Sequence, residues 1–220
     1  MAFSRTASRH EISYLRRRPK PGEAPPAPAI KAAGTLSLRP KTEREDPAAA
    51  ARRVRGRAVL SRDEPTVTLD RRQSAIGSLS FELVGSGDLS CAWELADGEA
   101  GLVSKAAGVL VSPEFGRRAI VQILERSVVV GLRHVRQLRR LLILAGGLAN
   151  TTPSRLVGDL LDESTIESAH TGTQPVIAAL AIYQVGGELV VRREDAGFGS
   201  LEKAAAAYGF SLSWLPPLER

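Results

Sequence analysis

The sequence predicts an all-β fold, a sandwich closed by one short C-terminal helix and preceded by a disordered basic N-terminal arm. Three observations carry that prediction. An apolar, β-branched-rich run opens after Gly172-Thr173-Gln174-Pro175 and ends at Tyr183-Gln184, and a Gly186-Gly187 turn joins it to a second run, Glu188 to Glu194. Two such runs around a two-residue Gly-Gly turn are a hairpin signature, because the turn needs positive φ at both central residues. Upstream, short runs separated by Gly, Asp and Pro repeat from Thr66 onward, whereas helical periodicity is scarce. Many short strands with turns at this spacing favour a sandwich over an α/β fold.

Charge divides the chain. Met1 to Arg72 holds 17 Lys/Arg against 8 Asp/Glu, a net +9, and Gln73 to Arg220 holds 13 against 16, a net −3. The basic character therefore belongs to the N-terminal segment. That segment contains Arg16, Arg17, Arg18 and Lys20, five prolines between Pro19 and Pro28, and a second cluster at Arg52, Arg53, Arg55 and Arg57. Pro, Ala and positive charge with few aromatic residues bury too little apolar surface to offset chain entropy, so residues 1–64 are predicted to be a disordered arm and residues 65–220 the folded domain. The eight basic side chains just named are the candidate anion-binding residues.

The strands follow in order. Val67 to Leu69 comes first, then Leu79 to Val84, which alternates apolar and polar with the period of a half-buried strand. Leu89, Cys91, Trp93 and Leu95 fall on one face of the next strand, which the Asp97-Gly98 turn joins to a partner starting at Gly101. Further strands are expected at Ala119 to Leu124, Ser127 to Val130, Leu141 to Ala145 and Leu156 to Leu161. Ser200 is a good N-cap for a helix from Leu201 to Tyr208 that Gly209 would end, and His134 to Leu138 reads as a turn of helix.

Taken together, these elements resemble the TerD family of tellurium-resistance and stress-response proteins, most closely its TerA-like branch. The carrying residues are Val67-Thr68-Leu69, Gly77-Ser78-Leu79, Asp88 to Gly98, Arg139 to Ile143, and the stretch from Ile177 through Gly186-Gly187 and Glu194 to Phe210. The resemblance implies a TerD-like β-sandwich and a non-enzymatic interaction module in tellurite resistance or general stress response. It also implies partners among other TerD-family or stress-response proteins. Calcium held by aspartate-rich loops is a family trait, but here one loop keeps only Asp88 and the other reads Ser112 to Arg118 with two arginines. Calcium takes about six to eight oxygen ligands, so that site is expected to be lost or weak and no cofactor is expected.

Catalytic chemistry finds little footing. His10, His134 and His170 stand far apart with no second ligand at metal spacing, and Gly85-Ser86-Gly87 precedes a strand instead of a helix. Cys91 lies on a buried face, and Asp162-Glu163 and Glu194-Asp195 read as solvated acids, so no catalytic residue is expected. Arg133, Arg136, Arg139 and Arg140 form either a basic face or simply solvated cations. With no signal segment, no apolar run near the roughly twenty residues of a membrane span, and a single cysteine, cytoplasmic residence is the expectation. The alternative function is a nucleic-acid-binding protein using its basic arm, for which an anionic membrane surface would be an equivalent target.

Overall fold

The computed structural model describes residues 52–112, 114–115 and 118–212. In chain order these form β1 (Arg52–Arg53), β2 (Arg57–Leu60), β3 (Thr66–Leu69), β4 (Ser78–Val84), β5 (Asp88–Leu95) and β6 (Ala100–Ser104). Then come β7 (Glu114–Phe115), β8 (Arg118–Ala119), β9 (Val121–Leu124), β10 (Ser127–Gly131), a 3-10 turn over Leu132–Gln137, β11 (Leu138–Gly146) and β12 (Ser154–Asp159). The chain continues through β13 (Thr165–His170), β14 (Val176–Val185), β15 (Glu188–Arg193), β16 (Gly197–Phe198) and the helix α1 (Leu201–Ala207).

One sheet runs β1-β3-β15-β14-β11-β5-β6 with β16 beside β14, the other runs β2-β13-β12-β4-β10-β9, and β7 and β8 pair with each other. Only β1 on β3 and β2 on β13 are parallel among these pairs; the rest are antiparallel. Inward side chains of both sheets form one continuous core that includes Leu69, Phe81, Leu83, Cys91, Trp93, Val128, Ile143 and Ile182. The all-β sandwich expected from the sequence is the observed fold.

The two sheets differ in what covers their outer faces, and the sequence patterns follow from that. β4 alternates exposed and buried side chains along its whole length because its outer face meets solvent. In contrast, β5 and β14 are buried almost throughout: α1 and Phe210 lie over Ala92, Leu142, Leu144, Ala178 and Ala181 in a second apolar cluster. A strand covered on both sides reads as an unbroken apolar run, which is how Val176 to Ile182 appears in the sequence. The hairpin turn takes the expected form, with φ of 59° at Gly186 and 89° at Gly187.

α1 is closed as its sequence suggests. Ser200 accepts from the Lys203 N–H at its start, and at its end the Phe210 N–H reaches the Ala205 carbonyl while the Gly209 N–H reaches that of Ala206. This paired closure needs the left-handed φ of 74° that Gly209 supplies. The Arg140 guanidinium then donates to the Tyr208 and Gly209 carbonyls, each at 2.7 Å, and stacks 4.4 Å over the Phe210 ring.

Three expectations need correction, and one strand was not foreseen. The domain does not begin at residue 65, because β1 and β2 are strands of the two sheets and Val54, Ala58 and Leu60 are core residues. Arginines between these apolar positions hid the alternation. The expected Leu156–Leu161 strand is Ser154–Asp159, which leaves Leu161 in the following turn, 65% exposed. Ala119 to Leu124 is broken into β8 and β9. Finally, β13 had no sequence signal, since its inward positions are Ile166, Ser168 and His170, two of them polar. Residues 1–51 of the expected arm, with Arg16, Arg17, Arg18 and Lys20, lie outside the described residues.

Candidate functional site

Arg52, Arg53, Arg55 and Arg57, singled out as candidate anion ligands, are brought together by β1, β2 and their link around a surface groove of roughly 390 Å³. Three of them are already paired. Arg57 holds both oxygens of Glu167 on β13 at 2.7 and 2.8 Å, Arg53 holds Glu188 on β15 at 3.0 Å, and Arg52 lies 3.4 Å from Glu64. The hydrogen bonds from Arg57, reinforced by its charge and that of Arg155, keep the Glu167 carboxyl below the ordinary glutamate range despite some burial. Bidentate pairing of this kind fixes geometry as well as charge, so Arg57 fastens edge strand β2 to its neighbour β13, and Arg53 ties edge strand β1 across β3 to β15. Arg55 is exposed and has no carboxylate partner among the described residues.

The arginines around β11 divide in the same way. Glu94 on β5 is 7% exposed and takes Arg139 at 2.7 Å and the Nε of Arg140 at 2.6 Å. Arg140 is thereby committed on every side to Glu94, the end of α1 and Phe210. Arg133 and Arg136 remain exposed, with no ion pair among the described residues. The four therefore do not form one basic face.

One constellation was illegible in the sequence. His170 Nδ1 lies 2.8 Å from Asp195 Oδ1, and His170 Nε2 lies 2.8 Å from Ser168 Oγ. The carboxylate only accepts, so Nδ1 carries the proton, and Nε2 accepts from the Ser168 hydroxyl. Arg193 in turn donates to both Asp195 oxygens and to the Leu60 carbonyl of β2, and Arg62 stands 3.7 Å from Asp195. Burial depresses the His170 pKa, with Arg193 adding to the effect; the hydrogen bond and charge of Asp195 oppose it.

The order Ser, His, Asp is that of a hydrolytic triad. Ser168 and His170 are nevertheless only 1% and 2% exposed, and Ser168 Oγ faces the interior of the sandwich, out of reach of a substrate carbonyl. What the chain of bonds does is clip β13 of one sheet to the end of β15 in the other, and through Arg193 to β2. No local motif announces it, because Ser168 and His170 stand 25 or more residues before Asp195 and meet it only across the sandwich.

The other candidates resolve simply. Cys91 is fully buried, and desolvation pushes its thiol far up, so it is core packing. Asp162 accepts from Gln73 at 2.8 Å and from the Ser164 N–H, which hold its carboxyl below the usual range; Glu194 accepts from the Tyr208 hydroxyl at 3.0 Å. Asp88 opens β5 as an exposed side chain, and no group of three His, Cys, Asp or Glu gathers at metal-binding distance among the described residues.

A further concavity lies elsewhere. A groove of roughly 630 Å³ runs across the outer surface beside β9 and β10, walled by Arg133 and His134 of the 3-10 turn, by Leu161 after β12 and by Val111. Comparison with known proteins finds no protein-family description that matches this chain and no similar curated protein.

Proposed function

We propose that this chain is a non-enzymatic, cytoplasmic interaction module of the TerD type, TerA-like, acting in tellurite resistance or general stress response through other proteins of that response. The observation that carries the interaction reading is the contrast between the two outer sheet faces. The eight-stranded sheet is roofed by α1, whereas the six-stranded sheet turns Val59, Val84 and Leu124 to solvent at 50%, 41% and 51% exposure. These side chains stand on β2, β4 and β9, so uncovered apolar positions recur from one edge of that sheet to the other, and an open face of this kind supports a binding surface. The polar constellations that resemble chemistry are, by the geometry above, internal fastenings.

The test is capture by the full chain, carrying a photo-crosslinker in place of Val84, from cells under tellurite or oxidative stress. Enrichment of defined stress-response proteins, lost on Val59→Asp or Leu124→Asp, is the expected result; recovery no different from an unrelated sandwich domain would refute it. The nucleic-acid alternative is weakened by the engagement of Arg52, Arg53 and Arg57 with carboxylates, and it now rests on Arg55 and on the basic residues before position 52. A salt titration of DNA binding decides it, since binding through phosphates falls steeply with ionic strength.

A further inference from the structure

We infer that the groove beside β9 and β10 is the docking surface for an acidic, aliphatic-rich peptide segment of a partner protein. This rests on the interaction-module reading and adds the place and the chemistry of the partner.

The lining is unlike the rest of the domain. From Gln73 onward acids outnumber bases, 16 to 13, yet the described residues lining the groove include no carboxylate and have Arg133 and His134 in its wall. Most arginines with described side-chain contacts are spent on carboxylates or carbonyls: Arg53, Arg57, Arg126, Arg139, Arg140 and Arg193. Arg133 is exposed and has no such partner among the described residues. Aliphatic side chains make up much of the remaining lining, with Val111 50% and Leu161 65% exposed and Val129 of β10 on the floor, while Ser78 and Gln122 add uncharged polar groups. An unpaired cation set among aliphatic side chains is the complement of a carboxylate flanked by aliphatic side chains.

An extended occupant fits better than a compact one. Leu161 also lines a smaller adjoining depression that carries Arg72, so the track continues past the groove with a second exposed cation on it. The two acids of that depression accept only from neutral amides, Asp70 from the backbone N–H groups of Arg72 and Gln73 and Asp162 from Gln73 and Ser164, so the carboxylate of the segment belongs at Arg133 and its aliphatic side chains toward Leu161. Ile76 and Leu110, 48% and 45% exposed, extend the apolar character nearby in the chain. Among the groove's described lining residues there is no Phe, Tyr or Trp, so a single-stranded nucleic acid would find only the His134 ring to stack on.

The experiment uses the full chain and a fluorescein-labelled decapeptide of alternating Glu and Leu, read by fluorescence anisotropy, with the Lys-Leu counterpart as control. The Glu-Leu peptide should bind and the Lys-Leu peptide should not. Arg133→Glu and Leu161→Asp change exposed side chains and should leave the melting temperature near that of the unchanged protein, yet each should weaken binding by about tenfold or more. Arg55→Glu, on another face, should not. The inference is overturned if the Glu-Leu peptide fails to bind at hundreds of micromolar, if the Lys-Leu peptide binds equally, or if the two groove variants bind as the unchanged protein does. Self-association that Leu161→Asp abolishes would overturn it too, by assigning the groove to a second copy. Stress-response proteins still captured by both groove variants would sink the groove and leave the interaction module standing; no capture by the unchanged protein would sink the module itself.

Discussion

Trp93 shows how far a single residue can be argued from sequence. Alternation in β5 puts it inward with Leu89, Cys91 and Leu95, and all four are core residues, Trp93 at 5% exposure. Trp93→Ala should therefore cost about 3 to 5 kcal/mol in chemical denaturation, through lost burial and the cavity left behind. Its indole N–H, however, finds no acceptor among the described residues. Trp93→Phe removes that unpaired donor, so its cost should be well under half that of the alanine variant. Equal costs would mean that the donor is paired.

His170 is the residue whose importance the sequence concealed, and it makes stability depend on pH. Its pKa in the folded protein is depressed below the unfolded value of about 6.5, so the unfolded chain takes up the proton first as pH falls. The contribution is therefore fully present above about 6.5 and is lost as pH falls from there through the folded-state pKa. Between pH 7.5 and 5.5 the melting temperature of the unchanged protein should fall further than that of His170→Asn. The groups facing the ring are Ser168 and Asp195, with Arg193 and Arg62 behind the carboxylate. Parallel pH curves for the two proteins would remove His170 from the account.

At the scale of elements, α1 is held less by its own length than by what meets it. A seven-residue helix is too short to be stable alone, and here its Ala204 and Ala205 pack on the alanines of β5 and β14 while Arg140 seals its C-terminus. Arg140→Ala removes two charge-assisted bonds to carbonyls and half of the pairing of Glu94, and should cost about 2 kcal/mol. Hydrogen exchange should show faster exchange at the Tyr208, Gly209 and Phe210 amides, with β4 and β10 unaffected. A change spread evenly over both sheets would contradict the latch.

β1 and β2 carry the complementary lesson. Their arginines looked like a binding cluster, and the pairing of Arg53 with Glu188 and of Arg57 with Glu167 makes them fasteners. Deleting residues 1–64 should lower the melting temperature far more than deleting residues 1–51, because only the longer deletion removes Val54, Ala58 and Leu60 from the core. If the two truncations melt together, β1 and β2 are not part of the cooperative unit.

For the whole molecule, the sequence by itself determined the fold class, the strands with clean alternation, the Gly186-Gly187 hairpin, both ends of α1 and the facing of Trp93. These depend on local periodicity and turn chemistry, which a chain carries wherever it folds. Only the tertiary structure decided which charges are free. Arg57 and Glu167 lie 110 residues apart and His170 and Asp195 lie 25 apart, so no window along the chain relates them. The same holds for the groove, whose walls come from Gly77, Val111, Arg133 and Leu161. β13 stayed hidden because its inward side chains are polar, and those side chains are buried at tolerable cost only because partners from the other sheet complete their hydrogen bonds. Whether an arginine is a ligand or a fastener, and whether a serine and a histidine form a strand or a loop, is settled by what packs against them.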